Sequence, residues 1–119
     1  MTGGQMAPTT MPGQRATTAP LGRDTDQTGM PLRMANLLGE LVTPGYVTRQ
    51  AVLNPKQVNK TKKAIKKAFE YQVEGKCFSF VEVVSTCPTN WGLAPLDSLK
   101  WAEDNLLPYY ELGDYKVPE

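Results

Sequence analysis

The stretch NPKQVNKTKKAIKKAFEYQVEGKCFSFVEVVS, residues 54–85, changes from one hydrophobic period to another across a single glycine turn. Asn54 before Pro55 is a helix-starting pair: the amide side chain can accept from a first-turn N–H, and proline at the first helical position sacrifices no donor. The pattern predicts a helix over 55–73, ended by Gly75. Its apolar stripe reads Val58, Thr61, Ile65, Ala68, Phe69 and Gln72, with Lys60, Lys63 and Lys67 opposite and Lys62 and Lys66 flanking. Residues 77–85, CFSFVEVVS, then run almost continuously apolar, as a strand covered on both faces would.

Outward from this stretch the same alternation continues. Residues 46–53, YVTRQAVL, are dominated by β-branched and aromatic side chains and predict a strand. Residues 31–41, PLRMANLLGEL, predict a short helix opened by Pro31 and stopped by Thr43-Pro44-Gly45. Pro95 opens a last helix running to about residue 107, Pro108 ends it, and a Tyr-rich tail follows. Strands alternating with helices imply an α/β fold with parallel βαβ units. Two strands are too few for a parallel sheet covered by helices, so further strands are expected from another chain or from a larger domain. Residues 1–30 are rich in Thr, Gly and Pro and carry neither period. They read either as a disordered tail or as a long ordered loop that embraces something else.

Composition excludes several classes of chemistry. The 119 residues contain no histidine, which removes Ser-His-Asp triads, HExxH zinc sites and imidazole bases. A net charge of +1 gives no overall drive towards nucleic acid. Neither a secretory signal nor a run of ~20 apolar residues is present, and a cytoplasmic location with no membrane partner is expected. Residues 49–67 carry Arg49, Lys56, Lys60, Lys62, Lys63, Lys66 and Lys67 without an acid. These form either a solvated helix face or a basic surface for an acidic partner. No aromatic residue interleaves the lysines, as single-stranded nucleic acid would require, and no nucleic-acid partner is expected.

Cys77 and Cys87 are separated by the predicted strand, which at ~3.3 Å per residue holds them about 30 Å apart. A disulfide needs Cα atoms within ~7 Å, so the two are expected to remain unpaired. Cys77 reads as a small buried hydrophobe. Cys87 lies just past the carboxyl end of the strand, where open α/β sheets bind ligands, and Pro88 follows it as it follows some cluster cysteines. Any metal role for it needs thiolates from outside the chain.

Two segments together resemble one family. Thr2-Gly3-Gly4-Gln5, followed by Met6-Ala7-Pro8-Thr9-Thr10, is similar to the stretch after the diphosphate- and metal-binding motif in thiamine-diphosphate-binding subunits of the 2-oxoacid:ferredoxin oxidoreductases. Phe78-Ser79-Phe80-Val81-Glu82-Val83, then Ser85-Thr86-Cys87-Pro88-Thr89-Asn90-Trp91-Gly92, resembles the C-terminal core of the same β subunit, in the forms acting on 2-oxoglutarate or branched-chain 2-oxoacids such as 2-oxoisovalerate. The Trp101 helix and Pro108-Tyr109-Tyr110 also fit, so the resemblance covers nearly the whole chain.

The resemblance implies part of a thiamine-diphosphate-binding fold, with 1–30 a cofactor-proximal loop and 31–119 the C-terminal α/β portion. It implies oxidative decarboxylation of a 2-oxoacid to acyl-coenzyme A with reduction of ferredoxin. The cofactors would be thiamine diphosphate, magnesium and a [4Fe-4S] cluster, all requiring residues outside this chain. Thr2, Gly3, Gly4 and Gln5 would border the cofactor, and glycine there allows close backbone approach. Met1 would face the substrate pocket, its apolar side chain implying a substrate other than pyruvate. Cys87 matches the isolated cysteine that ligates the cluster nearest thiamine diphosphate. No catalytic residue is implied.

The family's Gly-Asp-Gly motif, its CxxC pair and a further cysteine are absent from the 119 residues. The chain is therefore expected to be the C-terminal portion of a β subunit, inactive alone. It would need the missing N-terminal half and the α and other subunits. The alternative is a small non-enzymatic α/β adaptor that binds an acidic partner through its lysine-rich helix.

Overall fold

Strand β1 (Gly45–Ala51) lies at the centre of a three-stranded sheet of order β2-β1-β3 in the computed structural model, which describes residues 5–119. It pairs in parallel with β2 (Phe78–Val84), in a register from Gly45 opposite Phe78 to Ala51 opposite Val84. On its other side it pairs antiparallel with β3 (Gly113–Lys116), with an irregularity between Val47 and Thr48. The expected parallel βαβ unit is present, and the third strand makes the sheet mixed.

The helix α3 (Pro55–Val73) joins the parallel strands, as the sequence predicts. Asn54 Oδ1 accepts from the Gln57 N–H at 2.9 Å, which caps the helix. Thr61 donates to the Ala51 carbonyl at 2.8 Å, and Ser79 donates to the Ala68 carbonyl at 3.2 Å, so α3 is tied to both strands. Its buried residues are Thr61, Ala64 and Ala68, not the larger side chains of the expected stripe. Ile65 is 40% and Phe69 68% exposed. Small side chains let the helix lie close to the sheet, which turns Ile65 and Phe69 outward.

A short helix, α2 (Met34–Gly39), covers the opposite face. It begins three residues after the expected Pro31 and buries only Ala35. Asn36 on α2 accepts from Arg49 Nη2 at 3.0 Å, whereas Tyr46 on the alternate face of β1 packs edge-on against Tyr71 of α3. Arg49 is buried. Its Nε meets Glu82 Oε2 at 2.6 Å, its Nη1 donates to the Tyr115 hydroxyl at 2.6 Å and to the Glu111 carbonyl at 3.2 Å, and its guanidinium lies against the Tyr110 ring. Arg49 therefore leaves the basic cluster that the sequence suggests. Burial pushes the Tyr46 phenol above its ordinary pKa, with Asp114 adding to the rise and Lys67 opposing it.

Contacts divide the chain into two units. One comprises Arg33–Val84 and Tyr110–Glu119 and contains the sheet. The other comprises residues 5–32 and Ser85–Tyr109. It contains the short helices α1 (Thr25–Thr28) and α4 (Pro88–Trp91) and the longer α5 (Pro95–Asn105). Among the described residues no helix is long and apolar enough to cross a membrane.

Residues 5–30 form a hydrogen-bonded loop. Arg23 organises it. Its Nη1 donates to the carbonyls of Ala7, Pro8 and Thr10 at 2.8–3.1 Å, while Nε and Nη2 reach the hydroxyl and carbonyl of Thr28. Gly22 crosses this knot at φ +97°, and a Cβ there would lie 2.6 Å from the Gly13 carbonyl oxygen. Only glycine accommodates both constraints.

Candidate functional site

The chain leaves β2 at Val84, and three residues later Cys87 caps α4. Pro88 sets the first turn of this helix, and Gly92 in the left-handed region ends it. The Cys87 carbonyl accepts the Trp91 N–H at 3.0 Å, while its side chain makes no capping bond. The thiol is half-buried, and Asn90 Nδ2 donates to its sulfur at 3.2 Å. The other end of the same amide, Oδ1, accepts from the Thr17 hydroxyl at 2.9 Å. One carboxamide thus holds the thiol and ties it to the loop.

Thr17 and Thr18 stand at the tip of a turn closed by reciprocal bonds between Ala16 and Ala19. Thr18 Oγ accepts the Met6 N–H at 2.9 Å, so this turn bridges the loop's beginning and the thiol. Gln5, of the expected cofactor strip, is exposed beside Met6. Met1, Thr2, Gly3 and Gly4 lie outside the described residues.

Next to Asn90, Trp91 packs on Trp101 of α5 with ring centroids 5.1 Å apart. The two indoles and Leu93 form one wall of a cavity of about 440 Å³, and residues 12–15 form the other. Arg15 stands at this cavity with its side chain exposed. No local sequence signal marks this cavity, although both tryptophans of the chain meet there. Asn90 stands in the sequence only as part of the family-like motif, without a role, and Thr17 is not marked at all. Asn90 was accessible from spacing, since a residue three positions beyond a cap returns to the same side of the helix. Thr17 was not.

Cys77 and Cys87 are both free thiols, as expected from their separation. Cys77 is half-buried rather than buried, because it precedes β2, and its carbonyl accepts from Gln72. Among the described residues no group of three or more His, Cys, Asp or Glu side chains comes together. On α3, Lys56, Lys60, Lys62, Lys63 and Lys66 are exposed, whereas the Lys67 ammonium lies 4.8 Å above the Tyr46 ring.

Comparison with known proteins bears on this arrangement. The chain is 50% identical over 90 residues to the ketoisovalerate oxidoreductase subunit VorA of Methanothermobacter marburgensis, a match covering 76% of this chain and 19% of the relative. It is 40% identical over 125 aligned positions to the 2-oxoglutarate synthase subunit KorB of Methanocaldococcus jannaschii, covering 100% of this chain and 42% of the relative. The chain is homologous to 2-oxoacid oxidoreductase subunits. A KorB subunit of Archaeoglobus fulgidus, 36% identical over 105 residues, extends the same relationship across 88% of the chain and 35% of that relative. The homologue described here thus spans less than half the length of these curated relatives. No family profile and no solved structure matches it.

Proposed function

We propose that this chain is the C-terminal part of the β subunit of a cytoplasmic 2-oxoacid:ferredoxin oxidoreductase, in which Cys87 is one thiolate ligand of a [4Fe-4S] cluster. The observation that carries the reading is the Asn90 bridge. The Asn90 amide N–H is aimed at the Cys87 sulfur, and the same side chain fixes the thiol against a loop whose sequence resembles the family's cofactor strip. The donor set fits a cluster only in part. One sulfur is present here, so the other ligands come from outside these 119 residues.

Thr2, Gly3, Gly4 and Gln5 would border thiamine diphosphate, whose magnesium and diphosphate are held by residues outside the chain, and Met1 would face the 2-oxoacid. When bound, thiamine diphosphate supplies the electron sink for decarboxylation. This chain's own residues orient and position. Asn90 holds the Cys87 sulfur, the Thr17–Thr18 turn sets the distance between loop and thiol, and Arg23 keeps the loop in one conformation. Coenzyme A, ferredoxin, and the α and other subunits would complete the reaction.

The test is reconstitution with the rest of the β subunit and its companion subunits, followed by coenzyme A-dependent dye reduction with 2-oxoglutarate and with 2-oxoisovalerate. Activity with either acid that depends on this chain is the expected result. A fully assembled complex with bound thiamine diphosphate and no 2-oxoacid turnover contradicts the proposal.

A further inference from the structure

The cavity beside α4 is built within one unit, because residues 12–15 and the wall that carries Trp91 and Trp101 belong to the same set of contacts. Its volume of about 440 Å³ lies in the range of small-molecule sites. The roles given above to Cys87, Asn90 and the loop make no use of it. Both tryptophans of the chain line it, and each is half-buried. Their rings are tilted at 58°, so neither indole covers the other's face and a third ring can stack on one of them.

The polar groups around the indoles are complementary to one another. Arg15 is exposed and is the one charged residue at the cavity among the described residues. Arg23 and Arg49 place their donors inside the fold, whereas Arg15 takes part in none of the ion pairs among the described residues. Gln14 Oε1 accepts the Met11 N–H at 2.8 Å, which fixes the amide and leaves its NH2 to donate. Asn105 Nδ2 donates to the Trp101 carbonyl at 2.9 Å, which leaves its oxygen to accept.

We propose that this cavity binds a purine nucleoside phosphate, its ring against an indole, its ring edge at Gln14 and Asn105, and its phosphate at Arg15. Each part of the ligand answers a different group. Indole faces select planar bases by stacking, and the guanidinium fork matches phosphate oxygens. A donor beside an acceptor matches a purine edge, which presents both. No acidic residue lines the cavity to repel the phosphate. A free nucleotide and the nucleotide end of coenzyme A share this chemistry. The site rests on this chain's geometry and stands apart from the functional reading.

The test titrates the 119-residue chain and reads indole emission, which reports this cavity because both tryptophans line it. Calorimetry gives the affinity independently. Adenosine monophosphate should bind and alter the emission, while inorganic phosphate alone should leave it unchanged. Adenosine should bind about tenfold more weakly, the loss of one charge-assisted contact. Arg15→Met should bring the nucleotide down to the level of adenosine. Arg15 is exposed, so far-UV circular dichroism of this variant should match the unaltered protein. Asn105→Leu, also at an exposed position, should weaken nucleotide and nucleoside alike. Lys62→Met, on the exposed side of α3, should leave binding unchanged. Coenzyme A binding at least as tightly as the nucleotide makes the cofactor's end the occupant, and binding of the nucleotide alone makes it a free nucleotide; either supports the site. Binding of neither, binding insensitive to Arg15→Met, or an equal loss in Lys62→Met overturns the proposal. Nucleotide binding by a chain whose full assembly turns over no 2-oxoacid would keep this site and reject the functional reading.

Discussion

Arg23 and Arg49 are both buried guanidinium groups, yet one is surrounded by carbonyl oxygens and the other faces a carboxylate. Arg23 gathers the carbonyls of Ala7, Pro8, Thr10 and Thr28 in a segment that has no strand ladder of its own. Arg49 meets Glu82 on the adjacent strand and adds Asn36 of α2, the Glu111 carbonyl and Tyr115 of β3 around the sheet. The difference teaches where order comes from in each unit. In the loop, one cation substitutes for a ladder by satisfying backbone acceptors that would otherwise need water. In the sheet, the cation is an interior pair whose cost of burial is offset by its partners.

The largest expected effect falls on the Arg49 pair. Glu82→Leu leaves a buried guanidinium without its carboxylate and should cost about 3–5 kcal/mol of unfolding free energy. Urea denaturation read by far-UV circular dichroism measures it. The double variant Arg49→Leu with Glu82→Leu should recover part of the loss, because no uncompensated charge remains. A double variant as unstable as the single one would show that the ion pair is not what the site needs.

The loop should respond differently. Arg23→Met removes several charge-assisted bonds, each worth about 1.5–3 kcal/mol. The effect should stay local: exchange at residues 5–30 accelerates while the amides of β1 keep their protection. Simultaneous loss of protection in β1 would contradict the division of labour between the two arginines. Gly22→Ala isolates the same knot without touching charge. The added Cβ meets the Gly13 carbonyl at 2.6 Å in a backbone region costing roughly 1–2 kcal/mol for an L-residue, so a smaller acceleration confined to the loop is expected.

These contrasts also explain what could be read in advance. Helix α3 and strands β1 and β2 were legible because Asn54-Pro55, Gly75 and the changing apolar period are local signals. The face of α3 was legible in part: Thr61 and Ala68 of the apolar stripe are buried, whereas Ile65 and Phe69 are exposed and Ala64 lies buried instead. Strand β3 was missed because Gly113-Asp114-Tyr115-Lys116 has little strand propensity; its place depends on β1 and on the Arg49–Tyr115 bond. At the candidate site, Cys87 stood out by its place after an apolar strand. Thr17, seventy-three residues away, could be paired with Asn90 only in three dimensions. Arg23 carries no sequence signature, because its partners are main-chain carbonyls that every residue possesses.

The smallest effect concerns Tyr46. Burial raises its phenol pKa in the folded state, so its contribution to stability is full below about pH 10 and is lost as pH rises through the folded value. Tyr46→Phe should flatten the fall in stability above pH 10 without changing that seen at neutral pH beyond the loss of one hydroxyl. Denaturation series at pH 8 and pH 11 check it, and an unchanged alkaline fall would assign the titration elsewhere.

The most direct measurement is electron paramagnetic resonance of the reduced, fully assembled complex carrying Cys87→Ser, together with its iron content. The account predicts loss or marked alteration of one cluster signal, lower iron per complex, and an intact subunit composition. An unaltered spectrum with the full complement of iron would remove Cys87 from the ligand set and contradict the account.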